Sequence, residues 1–189
     1  CVPCLFGLEG LAADELRYMG MSGVEAETGR VFFNGGFEEL ARANLRLRTG
    51  ERVQILMGEF PAKDFDALFE GVYELPWENI IPRDGAFPVK GHSLNSTLHS
   101  VPTCQGMIKK AVVKRLSAKY GMAQFPETGG KYQIRFSLIN DVASIFLDTS
   151  GAALHKRGYR PNANLAPLRE TLAAAMVKLA RFKGRDIFC

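Results

Sequence analysis

Side chains whose type and spacing suit chemistry are sparse in this chain of 189 residues. Cys1 and Cys4 form a Cys-x-x-Cys pair, whereas Cys104 and Cys189 stand alone. A zinc site needs two further ligands at ligand spacing, and a redox pair is expected ahead of a helix in a βαβ setting. Neither context is present, so the pair reads as structural thiols, with Cys4 a small core residue of a strand. His92, His99 and His155 are dispersed and lack a carboxylate or cysteine at a recognisable distance along the chain. There is no Gly-x-Ser-x-Gly elbow, no phosphate-binding loop and no pair of metal-binding histidines. Serines are plentiful, but a serine without an identifiable base is not a nucleophile. The expectation is no catalytic residue and no metal ligand.

Binding chemistry is better represented. Residues 89–105 read Val-Lys-Gly-His-Ser-Leu-Asn-Ser-Thr-Leu-His-Ser-Val-Pro-Thr-Cys-Gln and run on into Lys109 and Lys110. These hydroxyls and amides precede a helix, and the free N–H groups and positive dipole end of a helix favour an anion. Helix capping by Ser100 or Thr103 is the alternative. One hydroxyl suffices for a cap, and the segment has five: Ser93, Ser96, Thr97, Ser100 and Thr103. The candidate phosphate contacts are Lys90, Ser93, Ser96, Ser100, Gln105, Lys109, Lys110 and Lys114. A second basic cluster, Leu154-His155-Lys156-Arg157-Gly158-Tyr159-Arg160, adds Arg157 and Arg160; it reads equally as a solvated linker. Few aromatics accompany the first stretch, so recognition of shape and backbone fits better than stacking on an open strand.

The charge distribution agrees. The net charge of +4 divides into fifteen acids and eight bases over residues 1–84, and five acids and sixteen bases over 85–189. Gly85 to Pro126 has no Asp or Glu at all. Such a split suggests a surface that attracts a polyanion, without separating RNA from DNA or an acidic membrane. With 47% apolar residues the chain can build a proper core, which excludes a disordered tail or a disulfide mini-protein. No apolar run approaches the ~20 residues of a membrane span, and no secretory leader is visible. Four cysteines point to a reduced, cytoplasmic setting.

The elements that must position these residues follow from periodicity. A short apolar run at 2–6 precedes a helix marked by Leu8, Leu11, Ala12, Leu16 and Met19 and stopped by Gly20. Strands near 24–26 and 31–33, a helix through Phe37, Leu40, Ala41, Asn44 and Leu45, and a strand at 52–57 complete a β-α-β-β-α-β order, that of a ferredoxin-like sandwich. A second unit opens with Asp64 as N-cap of a helix through Phe65, Leu68, Phe69 and Val72. A strand at 86–90, a polar stretch, a helix from about Cys104 to Tyr120, and a strand of period two through Tyr132, Ile134, Phe136 and Leu138 follow. Asn140-Asp141 turns that strand into its partner, 142–147. Residues 149–165 read as a linker, Pro167 opens another helix, and Ile187-Phe188 begins a strand. The fold class is α+β.

The run Val-Lys-Gly-x-Ser-x-x-Ser-x-Leu-x-Ser, followed by Cys-Gln and Lys-Lys-Ala, resembles the signature of a THUMP domain, an RNA-binding module of RNA-modifying enzymes. Cys4-Leu5-Phe6-Gly7-Leu8-Glu9, Asn44-Leu45-Arg46-Leu47-Arg48-Thr49, Phe69-Glu70-Gly71 with Leu75-Pro76-Trp77, and Asp148-Thr149-Ser150-Gly151 are similar to one branch of that family. So are residues 154–160 and Ala166-Pro167-Leu168-Arg169-Glu170-Thr171-Leu172-Ala173. That branch is the bacterial rRNA large-subunit guanine-N2 methyltransferases, and the resemblance covers essentially the whole chain.

The resemblance implies a ferredoxin-like domain (1–58), a THUMP domain (59–149), a basic linker (150–165) and the first helix and strand of a truncated Rossmann-like methyltransferase domain (166–189). In the implied full enzyme the cofactor is S-adenosylmethionine, and a guanine amine attacks its methyl group directly, without a metal. The family's Gly-rich cofactor loop and its Asn/Asp-Pro-Pro-aromatic segment are not among these residues, so the fragment itself is expected to bind no cofactor. Leu168, Arg169 and Glu170 are the implied neighbours of the cofactor pocket, and structured RNA, 23S rRNA first, is the implied partner. A tRNA guanine-N2 methyltransferase and a non-catalytic RNA-binding adaptor are the alternatives.

Overall fold

The structure, a computed structural model, describes residues 1–158 and 167–182. They fall into two compact units, one built from residues 1–54 together with the described residues from 149 onward, the other from 55–148.

In the first unit, β1 (Val2–Pro3), β3 (Arg30–Asn34) and β2 (Ser22–Glu27) form a sheet in that order, antiparallel throughout. Helices α1 (Glu9–Tyr18) and α2 (Phe37–Arg46) pack on it through Ala12, Leu16 and Ala43, around Val2, Val31, Leu47 and Val53. Gly20 stops α1 as expected, in the left-handed conformation (φ 81°) that a side chain rarely adopts.

The strand expected at 52–57 is divided. Gly50 bridges Cys4, and the amides of Glu51 and Gln54 donate to the carbonyls of Pro3 and Cys1, both at 2.8 Å. Residues 50–54 thus occupy the fourth-strand place beside β1, while β4 (Gln54–Pro61) belongs to the second sheet.

The stretch expected as a linker is, over its described part, no spacer. The amide of Thr149 donates to Val53 O at 3.1 Å, and the amide of Val53 donates to Ser150 Oγ at 2.8 Å. Asn44 holds both hydroxyls, and Leu154 is buried in the core of the first unit. Helix α5 (Glu170–Leu179) packs in the same unit through Thr171 and Ala175. Thr171 Oγ1 donates to Glu51 at 2.8 Å, and Lys178 lies 3.9 Å from Glu15. The C-terminal strand expected at Ile187-Phe188 lies outside the described residues.

The second unit has the sheet order β4-β7-β6-β5, with β5 at Val89–Leu94, β6 at Ile134–Ile139 and β7 at Val142–Asp148. β5 runs parallel to β6, which turns into antiparallel β7. Asn140 and Asp141 make that turn with φ of 51° and 63°, the paired left-handed geometry of a two-residue hairpin loop. Helix α3 (Phe65–Tyr73) begins where Asp64 accepts from the Ala67 amide at 2.7 Å. Helix α4 (Val101–Tyr120) starts three residues before its expected position, because Pro102 suits a first helical turn, and it ends at left-handed Gly121. Trp77, Phe87, Ile108, Leu116, Ile134 and Leu138 fill the core between these helices and the sheet.

Candidate nucleic-acid interface

Helix α4 carries most of the predicted basic contacts, and its rotation of about 100° per residue sorts them. Cys104, Ile108, Ala111, Val112 and Leu116 are its buried face. Thr103, Gly106, Lys110 and Lys114 lie on the exposed side. Lys109 projects toward the apolar edge: its Nζ sits 3.8 Å from the centroid of the Phe87 ring, donates to Phe87 O at 3.3 Å and pairs with Glu127. Arg115 makes a two-pronged pair with Glu78 at 2.7 and 3.0 Å, and Lys119 adds a charge 3.6 Å away. That guanidinium holds the Glu78 carboxyl down at about 2, with Lys119 helping. Lys114 is exposed, with its Nζ 5.2 and 5.6 Å from the Phe69 and Tyr73 rings. Lys110 is exposed and has no ion-pair partner among the described residues.

The hydroxyls before α4 have internal duties. Ser93 donates to Leu98 O at 2.8 Å. Ser96 donates to Leu94 O at 3.1 Å and accepts the Asp141 amide at 3.0 Å. The Thr97 amide donates to Asp141 Oδ1 at 2.7 Å. The loop between β5 and α4 is therefore fastened to the β6–β7 turn, and Asp141 brings a negative charge to a stretch without acids of its own. Ser100 is the N-cap residue, but its hydroxyl shares a 2.7 Å hydrogen bond with Thr103 Oγ1 and caps no amide. Gln105 is half-buried in the second turn.

Lys90 is exposed but faces elsewhere. In the β5–β6 register Val89, Gly91 and Ser93 align with Ile134, Phe136 and Leu138, which face the helices, while Lys90 and His92 align with Arg135 and Ser137 on the opposite face. There His92 Nε2 meets Ser137 Oγ at 3.2 Å, and Arg135 pairs with buried Asp148 at 3.0 Å. Lys90 and Lys110 do not share one patch.

The second cluster sits in the first unit. The Arg157 guanidinium donates to Asn44 O at 2.9 Å, Leu47 O at 2.6 Å and Leu45 O, carbonyls that the last turn of α2 leaves open. Its Nε donates to Leu154 O at 3.0 Å. Arg160 lies outside the described residues. Leu168, Arg169 and Glu170 share an open cleft with His155, Lys156, Gly158 and Pro167. Arg169 is the N-cap of α5, 3.8 Å from Glu51. The lining of the cleft includes a leucine, cations and a carboxylate. These residues alone do not make a cofactor site.

Nothing among the described residues gathers three or more metal-ligating side chains, and no helix there is long and apolar enough to cross a membrane. Burial pushes the Cys4 thiol up to about 11, with Glu9 and Glu51 adding to the effect, so it stays protonated and unreactive near neutrality.

Family models place this geometry. Residues 1–54 match the RlmL ferredoxin-like domain, 62–148 the THUMP domain and 157–189 the RMKL-like methyltransferase domain. The chain is thus similar to a THUMP domain over its middle part and to the two flanking domains on either side of it. It is 45% identical to the putative RNA methyltransferase YpsC of Bacillus subtilis, over 93% of this chain and 46% of that protein. It is 34% identical to the ribosomal RNA large subunit methyltransferase K/L of Psychromonas ingrahamii, over 98% of this chain and 25% of that one. The chain thus spans between a quarter and a half of the length of these relatives. Among solved structures, a predicted N6-adenine-specific DNA methylase from Listeria monocytogenes superposes with a TM-score of 0.90 at 45% identity, over 94% of this chain and 47% of that one. SMU.472, a putative methyltransferase complexed with SAH, gives 0.89 at 41% identity, over 96% and 48%.

Within the THUMP domain the sequence had left Gly106 unremarked. It lies on the exposed side of α4, and a Cβ built there would meet nothing within 4 Å. A glycine in a helix interior costs about 1 kcal/mol relative to alanine. Its signal in the sequence was a glycine on the polar side of a helical pattern. The partners Glu78, Glu127 and Asp141 had no such signal, since each is brought in from another element.

Proposed function

We propose that this chain is the RNA-docking part of a methyltransferase that acts on 23S rRNA at guanine N2 with S-adenosylmethionine as methyl donor. The observation that carries the reading is Lys110 and Lys114 standing exposed on α4 of a THUMP domain, on a helix whose other bases are held by Glu78 or Glu127. Support for ribosomal RNA comes from the relatives named as rRNA large subunit methyltransferases, and for the cofactor from the SAH complex of SMU.472. In this reading Ser100, Gln105, Lys110 and Lys114 meet phosphates from α4, and Lys90 makes a separate contact. Lys109, Ser93, Ser96 and Arg157 build the frame that holds them. The transfer itself belongs to residues beyond those described, and a cytoplasmic setting goes with the substrate.

Binding to large-subunit rRNA fragments, followed by fluorescence anisotropy across a salt series, tests this. The affinity should fall steeply with salt, and joint replacement of Lys110 and Lys114 by Ala should reduce the log–log slope by roughly 1–2. An unchanged slope removes those lysines from the interface. Tighter binding to tRNA than to rRNA fragments would move the substrate to tRNA.

A further inference from the structure

On the reading that α4 docks RNA, we propose that Gly106 marks the place where the sugar–phosphate backbone lies against the helix, and that its missing side chain is what allows that approach. The protein fold gives the glycine no employment. It is not at a helix end, its φ is not in the left-handed region, and a Cβ would meet open space rather than a neighbouring side chain or backbone. Packing would accept alanine, and helix propensity favours it.

What surrounds Gly106 points to the occupant. Going round α4 at about 100° per residue, Gly106 lies opposite buried Cys104, Ile108 and Ala111, with Thr103, Lys110 and Lys114 within about 80° on one side and buried Leu116 about 80° away on the other. The strip thus has a flat floor at Gly106, a hydroxyl one turn before it and two ammonium groups one and two turns after it. Gly85 to Pro126 contributes no acid to it. A bare helix surface would also admit a protein backbone, but the two exposed lysines and the lack of acids favour a polyanion. A phosphate drawn down to Gly106 comes within reach of Lys110, and a Cβ holds it off. Glycine serves the same purpose wherever a main chain must approach a phosphate closely.

Helix α1 supplies a control. Gly10, in its first turn, is likewise exposed with nothing within 4 Å of a built Cβ, and it belongs to the other unit. The test compares Gly106→Ala, Gly106→Arg and Gly10→Ala in the 189-residue chain, by thermal melting and by anisotropy with labelled large-subunit rRNA fragments and, separately, tRNA. Gly106→Ala should raise Tm by about 2–4 °C, and Gly10→Ala, in a first turn, by no more than that. Gly106→Ala should weaken RNA binding about tenfold while Gly10→Ala leaves it unchanged. Gly106→Arg should weaken binding in spite of its added charge. Binding by Gly106→Ala within about twofold of the parent, tighter binding by Gly106→Arg, or a fall in Tm on Gly106→Ala would each overturn the inference while leaving RNA docking intact. Failure of the parent chain to bind either RNA would instead remove the docking reading, and this inference with it.

Discussion

Lys109 and Lys110 are neighbours in the sequence, and one step around α4 gives them different work. Lys109 is spent on Phe87 and Glu127, joining the helix to the loops that flank it, whereas Lys110 points to solvent. Lys109→Ala should lower stability by about 1 kcal/mol, from the lost cation–π and ion-pair contacts. That is a drop in Tm of about 2–4 °C, with RNA affinity nearly unchanged. Lys110→Ala should do the opposite. Parallel melting and binding curves on the two variants check both halves. Their residue types were legible in the sequence as a basic pair after a binding loop, but not this division. Glu127 lies 18 positions along the chain from Lys109, and only folding sets the distance between them. The hydroxyls of Ser93 and Ser96 were equally visible as polar groups, and equally silent about the carbonyls and amide they serve.

At the scale of elements, Arg115 and Glu78 fasten the middle of α4 to the turn that follows α3, each side chain being less than a fifth exposed. The folded state keeps Glu78 ionised down to about 2, against an ordinary value of 4.5. The stability from this pair is therefore complete above the ordinary glutamate range and is lost as pH falls from there through about 2. Arg115→Met should cost about 1–2 kcal/mol at neutral pH and less in acid. Urea denaturation at pH 7 and pH 3 would show the gap between variant and parent closing; a constant gap would deny Glu78 its shift. The elements themselves were mostly legible wherever their causes are local. Asp64 caps α3, Gly20 stops α1 and Asn140-Asp141 turns β6 into β7, each through contacts a few residues long. The run at 52–57 was legible as extended, but not its division between two sheets, because its partners β1 and β7 lie some fifty residues before it and ninety after it.

At the scale of the whole chain, the net charges of −7 and +11 over residues 1–84 and 85–189 do not say which cations stay free: Glu78 of the acidic half neutralises Arg115, and two of the five acids of the basic half, Glu127 and Asp148, are spent on Lys109 and Arg135. The basic cluster at 154–160 changes meaning for the same reason: Arg157 closes the end of α2 rather than facing solvent. Arg157→Ala leaves four carbonyls without this donor and should destabilise the first unit by about 2 kcal/mol. Amide hydrogen exchange should then quicken in α2 and leave α4 unaltered; equal acceleration in both would refute a role confined to the first unit. That unit also takes its residues from two separated stretches, 1–54 and those from 149 onward, with 55–148 between them. During synthesis the earlier of these two stretches must therefore wait for the later one. Leu16, Leu47 and Val53 have no Leu154 to pack against, and Asn44 no Thr149 and Ser150 to hold, until roughly a hundred more residues have been made. The second unit, whose residues arrive without interruption, can close without waiting, whereas at translation rates of about 5–20 residues per second the stretch 1–54 stays open for roughly 5–20 s after its own last residue is made, as a client for whatever chaperone meets the emerging chain.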